Sequence, residues 1–421
     1  MAQKLSEAAR RAAVRVDEDR LWGRLMAMAE IGAREDGGVA REALTAPDRK
    51  ARSLLAGWGK ELGLTVSIDD AANLFLRREG SDRLAPVLSG SHLDSQPAGG
   101  KFDGAFGVLA ALEAVQAIDE AGISTKHPLE IVSWTNEEGS RYAPACTGSM
   151  CWAGVCTLQE VLNATDREGM RFGDALAATL MALPDLPRRR LGGECAAYLE
   201  PHIEQGPLLE AAGVPIGIVT GVQGSRWFTV TIEGKAAHAG TTPMRRRRDA
   251  LQGAVRVIEA LNRALHDPDD VLRFTVGRMA LEPNTPNAVP ARAMFTIDLR
   301  HPDADILARH AKTIAGIVQS SAAPLAGRVQ ETMQMAPVAF DAKVIDVLQQ
   351  AVKDLGIDAM NLASGAFHDA VHIARKGPAG MLFVPCRDGL SHHPDEHATP
   401  SALAAGARVL AAALVELAEG H

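Results

Sequence analysis

The period of the hydrophobic positions changes along this chain. From about Asp17 to Leu62 apolar residues recur three and four apart, as at Leu21, Leu25 and Met28, which is the spacing of one helical face. Short apolar runs then alternate with helical stretches. Ala85–Ser89 is such a run and ends in Gly90-Ser91-His92. Phe106–Ile118, rich in Ala, Leu and Val, predicts a buried helix, and Glu130–Thr135 predicts a strand that ends in Asn136-Glu137-Glu138-Gly139. Alternating strands and helices predict an α/β fold with a mainly parallel sheet. In such sheets functional residues gather just past the carboxyl ends of strands, where His92 and Glu137-Glu138 fall.

Near Gly221 the period drops to two. In Trp227–Glu233, Phe228, Val230 and Ile232 face one way, while Thr229, Thr231 and Glu233 face the other. A helix is expected over Asp249–Leu265, strands over Leu272–Leu281 and Ala291–Arg300, a helix over Asp303–Ser320 and a strand over Arg328–Met335. That order, βαββαβ, predicts a ferredoxin-like domain. Helical pattern returns after Asp341 and a strand follows at Met381–Val384. The chain therefore reads as a larger domain, residues 1–221 and 336–421, interrupted by a smaller one, residues 222–335.

At 421 residues, two domains is also the expectation from length. A net charge of −8 argues against nucleic acid or an anionic membrane surface as partner. Lys4, Glu7, Arg10, Arg11, Arg15, Asp17 and Glu18 interrupt any apolar export signal, and no run of about 18 apolar residues predicts a membrane span. The cysteines, Cys146, Cys151, Cys156, Cys195 and Cys386, form no CxxC pair. Free thiols in a cytoplasm are the expectation.

Four segments carry candidate chemistry. They are Ser91-His92-Leu93-Asp94-Ser95 with Phe102-Asp103-Gly104 beyond it, Thr135–Ser140, Glu200–Gly206, and Gly389-Leu390-Ser391-His392-His393-Pro394. Each sets His or carboxylate beside Gly, Ser or Pro, and imidazole nitrogens with carboxylate oxygens are the usual ligands of zinc, manganese and related ions. Taken singly each has a plainer reading. His92 beside an Asp is an ordinary hydrogen-bonded pair, and Glu137-Glu138 is an ordinary solvated loop.

Taken together, GSHLDSQPAGGKFDG (90–104), TNEEGSR (135–141), HIEQGPLLE (202–210), HAGTTPM (238–244), PNTPNAVP (283–290), SGAFHDA (364–370) and GLSHHPDE (389–396) resemble the M20 metallopeptidase family, in its hydantoinase/carbamoylase branch. The resemblance spans nearly the whole chain. It implies two divalent ions per subunit, zinc or manganese with cobalt or nickel as further options, bridged by Asp103. Glu138 and His392 would complete one site, His92 and His202 the other. Asp94 would hydrogen-bond the far nitrogen of His92, and Glu137 would be the general base. A cis peptide is implied at Asp103–Gly104. His238 would stabilise the oxyanion in a neighbouring subunit, which makes the small domain a lid and a dimerisation domain. Asn287 and Arg300 would bind a substrate carboxylate, with Gln205 and Gly365 also touching substrate.

Plainer readings stand beside several of these. His238 reads alone as a turn histidine, and Arg300 as a surface ion pair with Asp298. Arg245–Arg248 reads as a solvated helix entry rather than a phosphate patch, because Asp249 follows at once. His368-Asp369 matches a pocket wall, and Phe367 stands where the family often has a small residue. The expected activity is hydrolysis of an N-carbamoyl-L-amino acid. Alternatives are an allantoate or ureidoglycine-type amidohydrolase, an M20 aminoacylase or dipeptidase and, in another class, a binding protein that kept the fold and lost activity.

Overall fold

A computed structural model describes residues 4–420. It divides into two compact units, one running up to Thr220 and resuming at Phe340, the other Gly221–Ala339. Val338 and Ala339 pair back onto Val222 and Gly221, so the chain enters and leaves the smaller unit side by side.

The larger unit is α/β, and the middle of its sheet is parallel. Leu129–Trp134, Val87–His92, Ala197–Ile203 and Ala379–Val384 lie in that order, each parallel to the next. Antiparallel strands extend both edges: Leu74–Arg78 and Thr65–Ile68 beyond one, Ile216–Val222 beyond the other. Every residue of the parallel strands is buried. This is why they read as continuous apolar runs rather than alternating ones. Two of them run further than the apolar pattern suggested. Val87–His92 continues through Gly90, so His92 is its last residue rather than a loop residue, and His202 likewise lies within Ala197–Ile203. The polar ends of these strands are where the sheet delivers its chemistry, and polarity alone makes a strand end look like a loop.

Ala105–Glu120 is buried on almost all sides. It packs on the sheet beside Pro400–Glu419, which also touches the strands, and under Glu7–Arg15. Its buried Glu113 is paired by Arg20 at 2.6 Å and accepts the Asp17 N–H at 2.8 Å. Without those partners a buried carboxylate would be strongly destabilising. Pro400–Glu419 is long and apolar enough to cross a membrane, but most of it is buried inside this unit, as in a core helix. The helical stretch expected from Asp17 to Leu62 is two helices, Glu18–Ala29 and Ala46–Glu61, separated by a loop.

The smaller unit has the ferredoxin-like order. Its sheet runs Ala326–Met335, Gly224–Glu233, Arg292–His301, Arg273–Glu282, with every neighbour antiparallel. Ala250–Ala264 and Ala304–Ala322 cover one face and build a core with Phe228, Val230, Ile232, Phe295, Ile297 and Leu299. Arg292–His301 alternates buried positions with exposed or half-buried ones, the period-two signal of a sheet covered on one side. A short ribbon pairs Ala237–His238 with Ala288–Val289.

Candidate metal centre

The strand ends of the larger unit converge on Asp103. Its Oδ1 lies 3.2 Å from His202 Nε2 and 3.5 Å from His92 Nε2. Its Oδ2 lies 3.4 Å from His392 Nε2, which is itself 3.3 Å from Glu138 Oε2. Two donor sets result, His92–Asp103–His202 and Asp103–Glu138–His392, and they share one carboxylate. The first set is buried. The second opens to solvent, with the His392 side chain 48% exposed. His393 turns away, its Nδ1 accepting the Asp395 N–H at 3.1 Å.

Each deep histidine is oriented by the main chain. His92 Nδ1 is 2.8 Å from the Asp94 carbonyl and His202 Nδ1 is 2.9 Å from the Ile203 carbonyl. A carbonyl can only accept, so each ring carries a proton on Nδ1; when the ring is neutral its Nε2 lone pair faces Asp103, and that of His202 also accepts the Gly104 N–H at 3.2 Å. Lone pairs facing carboxylate oxygens at this range repel unless a proton or a cation lies between them. The donor set is all nitrogen and oxygen and suits a borderline divalent ion.

This arrangement corrects two sequence-based expectations. The Asp94 carboxylate does not hold the His92 ring: its Oδ1 is 3.9 Å from Nδ1, and the main-chain carbonyl of Asp94 does that work. The carboxylate instead accepts the N–H groups of Glu137 and Glu138 at 3.3 and 3.2 Å, and so shapes the turn that presents both glutamates. The Asp103–Gly104 peptide is trans; the cis bonds among the described residues all precede proline. Gly104 makes the turn itself, with φ +63° and ψ −48°, and a Cβ there would fall on the His92 ring.

Electrostatics follow from so many carboxylates under cover. Burial works against charging the His92 ring, but Glu137, Asp103 and Asp94 outweigh it and hold its pKa well above the ordinary value. His392, beside Asp103, is raised to about 9. Burial, reinforced by Asp103, pushes Glu138 up to about 7. Burial also raises Glu137, the more so for the neighbouring Asp369, Glu138 and Asp103. A site that draws protons this strongly also draws cations.

Glu137 Oε2 is 3.4 Å from His92 Nε2, at the edge of the first donor set. Its other oxygen is 3.5 Å from the Cys146 thiol, which donates to it. Gln205, at φ +56°, donates from Nε2 to Asp103 Oδ2 at 2.9 Å, while its Oε1 is buried with no hydrogen-bond partner among the described residues. Gly365 is exposed in the loop after Ala359–Ser364. His368 packs its ring against His202 at 4.7 Å, and Phe367 packs on His372.

Three expected site residues belong to the smaller unit. His238 is exposed, and its Nδ1 accepts the N–H groups of Gly240 and Thr241 at 3.0 and 3.2 Å. Its Nε2 therefore carries the proton and can donate. Asn287 lies beside it, its carbonyl accepting the Ala239 N–H at 2.9 Å. Arg300 forms an ion pair with Asp298, with Nη2–Oδ2 at 2.7 Å. Arg245, Arg246 and Arg248 are exposed, while Arg247 donates to the Thr242 carbonyl and steadies the turn after His238.

Sequence reasoning missed several residues that hold the cluster. Gln96 donates its main-chain and side-chain N–H groups to Glu138 at 3.0 and 2.6 Å. Buried Glu200 accepts from Ser91 Oγ and from the Ala370 N–H, each at 2.7 Å. Ser391 and Glu396 reach Asp103 from the last motif. All four lie inside or beside the quoted motifs. The missing signal was contact, which motif spacing does not carry.

Fold and cluster together define a class: an interrupted α/β domain whose strand ends carry paired His/carboxylate donor sets. Residues 88–416 match peptidase family M20/M25/M40, and the chain belongs to that family. It is 41% identical over 413 residues to the N-carbamoyl-L-amino-acid amidohydrolase of Rhizobium meliloti, covering 96% of this chain and 97% of that one. It is 35% identical to the allantoate amidohydrolase of Bacillus subtilis over 93% of this chain and 95% of the other. Among solved structures, a hydantoinase/carbamoylase family amidase from Burkholderia multivorans superimposes with a TM-score of 0.91 at 46% identity, covering 96% of this chain and 98% of that one.

Proposed function

We propose that the protein hydrolyses N-carbamoyl-L-amino acids to the amino acid, carbon dioxide and ammonia, with two divalent ions held by His92, Asp103 and His202 and by Asp103, Glu138 and His392. The observation that carries this reading is the single carboxylate shared by two donor sets, with Glu137 at their edge. The Rhizobium relative supplies the substrate class.

A ureido carbonyl is a poor electrophile because two nitrogens feed it electron density. Ions of this kind, zinc or manganese with cobalt or nickel as alternatives, would polarise that carbonyl and lower the pKa of a bound water toward ~7. Glu137 takes the proton of the attacking water and passes it to the leaving nitrogen. The unpartnered Oε1 of Gln205 is an acceptor for a substrate N–H. His238 offers Nε2–H to the oxyanion, and Asn287 beside it with Arg300 binds the substrate carboxylate, for which a forked guanidinium is suited. In the same reading the protein is a homodimer joined through the smaller units, with His238 acting in the partner's centre.

The test is ammonia release from a panel of N-carbamoyl-L-amino acids and allantoate, with free amino acid measured for dipeptides, and with zinc, manganese, cobalt or nickel added. Turnover of the carbamoyl compounds is expected. Turnover of allantoate alone would move the assignment to that substrate, and a metal-loaded protein inert on the whole panel would overturn it.

A further inference from the structure

Glu396 is buried, 3% exposed, in the same segment as His392. Its Oε1 accepts the main-chain N–H of Phe102 at 2.9 Å and of Asp103 at 3.0 Å. Its Oε2 lies 3.0 Å from Ser391 Oγ, and that hydroxyl lies 2.8 Å from Asp103 Oδ2. Glu396 therefore holds the Phe102–Asp103 main chain directly, and it lies against the Ser391 hydroxyl, whose single proton is placed between the Glu396 and Asp103 carboxylates. The chain has also cleared space for it. A Cβ on Gly100 would fall on the Glu396 carboxyl, and the φ of Gly100 is not among the positive values, so an alanine there is blocked by Glu396 rather than by its own backbone.

We propose that Glu396 is a positioning residue for the shared carboxylate. By fixing the Phe102–Asp103 main chain and the Ser391 hydroxyl, it sets Asp103 so that one oxygen faces each donor set. The inference rests on the metal reading of the site. A carboxylate free to rotate about its side-chain bonds serves one set at the expense of the other, and its ordering cost must then be met when the ions bind. Groups that orient ligands in this way commonly account for ~10–100-fold in metal affinity. The role is one of geometry rather than charge, because what Glu396 provides is an acceptor for two N–H groups and a contact for one hydroxyl. An amide can provide the same: its oxygen takes the two N–H groups, and its NH2 donates to Ser391 Oγ, which still donates to Asp103.

The experiment measures zinc and manganese affinity by chelator competition, and ions bound per subunit, with the melting temperature of each metal-free protein as a folding control. Wild type should hold two ions; if it binds none, the metal reading itself fails. With wild-type binding in hand, Glu396→Ala and Gly100→Ala should each weaken affinity by ~10–100-fold. The double variant should be no weaker than Glu396→Ala alone, because both changes remove one interaction. Glu396→Gln should stay close to wild type. If Glu396→Ala does not fold, Gly100→Ala carries the test. Wild-type affinity in either alanine variant overturns the proposal, and so does a Glu396→Gln protein as weak as Glu396→Ala, which would make charge the operative property.

Discussion

The two units hold their polar residues in opposite ways. In the larger unit the candidate chemistry is buried and interlocked: Asp103 touches His92, His202, His392, Gln205 and Ser391, and each of the deep histidines has its second nitrogen tied to a carbonyl. In the smaller unit His238 is exposed and its ring is held by N–H groups of its own turn, and Arg300 pairs with an acid two residues away on the same strand. A buried cluster of like charges must be held by its surroundings, because every misplaced carboxylate is costly there. Exposed donors can be local, since water satisfies them until substrate arrives. On the proposed function, the larger unit would carry the reaction chemistry and the smaller one the recognition of substrate.

Changes at the two kinds of site should therefore differ in what they disturb. The largest effect is expected from Glu137→Gln, which removes the proton carrier but keeps size and hydrogen bonding. kcat should fall by ~10²–10⁴-fold while bound metal and melting temperature stay unchanged. A variant retaining most of its turnover would falsify the assignment of Glu137 as base.

His238→Ala should lower kcat by ~10²–10³-fold, the usual loss of one oxyanion donor, with metal content untouched. Mixing His238→Ala with Glu137→Gln subunits under exchange conditions sharpens the comparison. Recovered activity is expected if His238 serves the partner, and a confirmed hybrid that stays at background means it acts within its own chain.

Arg300→Ala should act mainly through KM, raising it by ~10–100-fold, the worth of charged hydrogen bonds to a carboxylate. A fall in kcat with KM unchanged would instead place Arg300 in the chemical step.

The smallest effect concerns pH. In the metal-free protein His392 titrates near 9 and Glu138 near 7, both raised. Both must shed protons to bind an ion, so apparent metal affinity should fall on acidification, beginning below about pH 9 and steepening below 7. Each displaced proton costs about tenfold per pH unit. In the metal-free protein the sign for stability is the reverse: groups with raised folded pKa stabilise most at low pH, and the contribution of Glu138 is lost as pH rises from 4.5 to about 7, that of His392 from 6.5 to about 9. Chelator competition and melting curves at several pH values test both. Affinity independent of pH would mean that these ligands are not protonated before the ion arrives.

The sequence alone determined the α/β class, the βαββαβ order and the donor residues, for physical reasons that are local. Buried parallel strands need unbroken apolar runs, a one-sided sheet needs alternation, and a nitrogen and oxygen donor set can come only from residues such as His, Asp and Glu. Trp227–Glu233 and the split between Phe106–Ile118 and its flanking strands are cases of this. What binds distant segments together was decided only in three dimensions. Glu396 meets Phe102 and Asp103 across nearly three hundred residues, and Ser91 meets Glu200 across more than a hundred. Whether His92 is held by the Asp94 carboxylate or by its carbonyl, and whether Asp103–Gly104 is cis or trans, follows from how the strand end turns. Those choices were hidden because hydrogen bonds between remote segments depend on where the backbone has been brought, and residue type records only what each group is able to donate or accept.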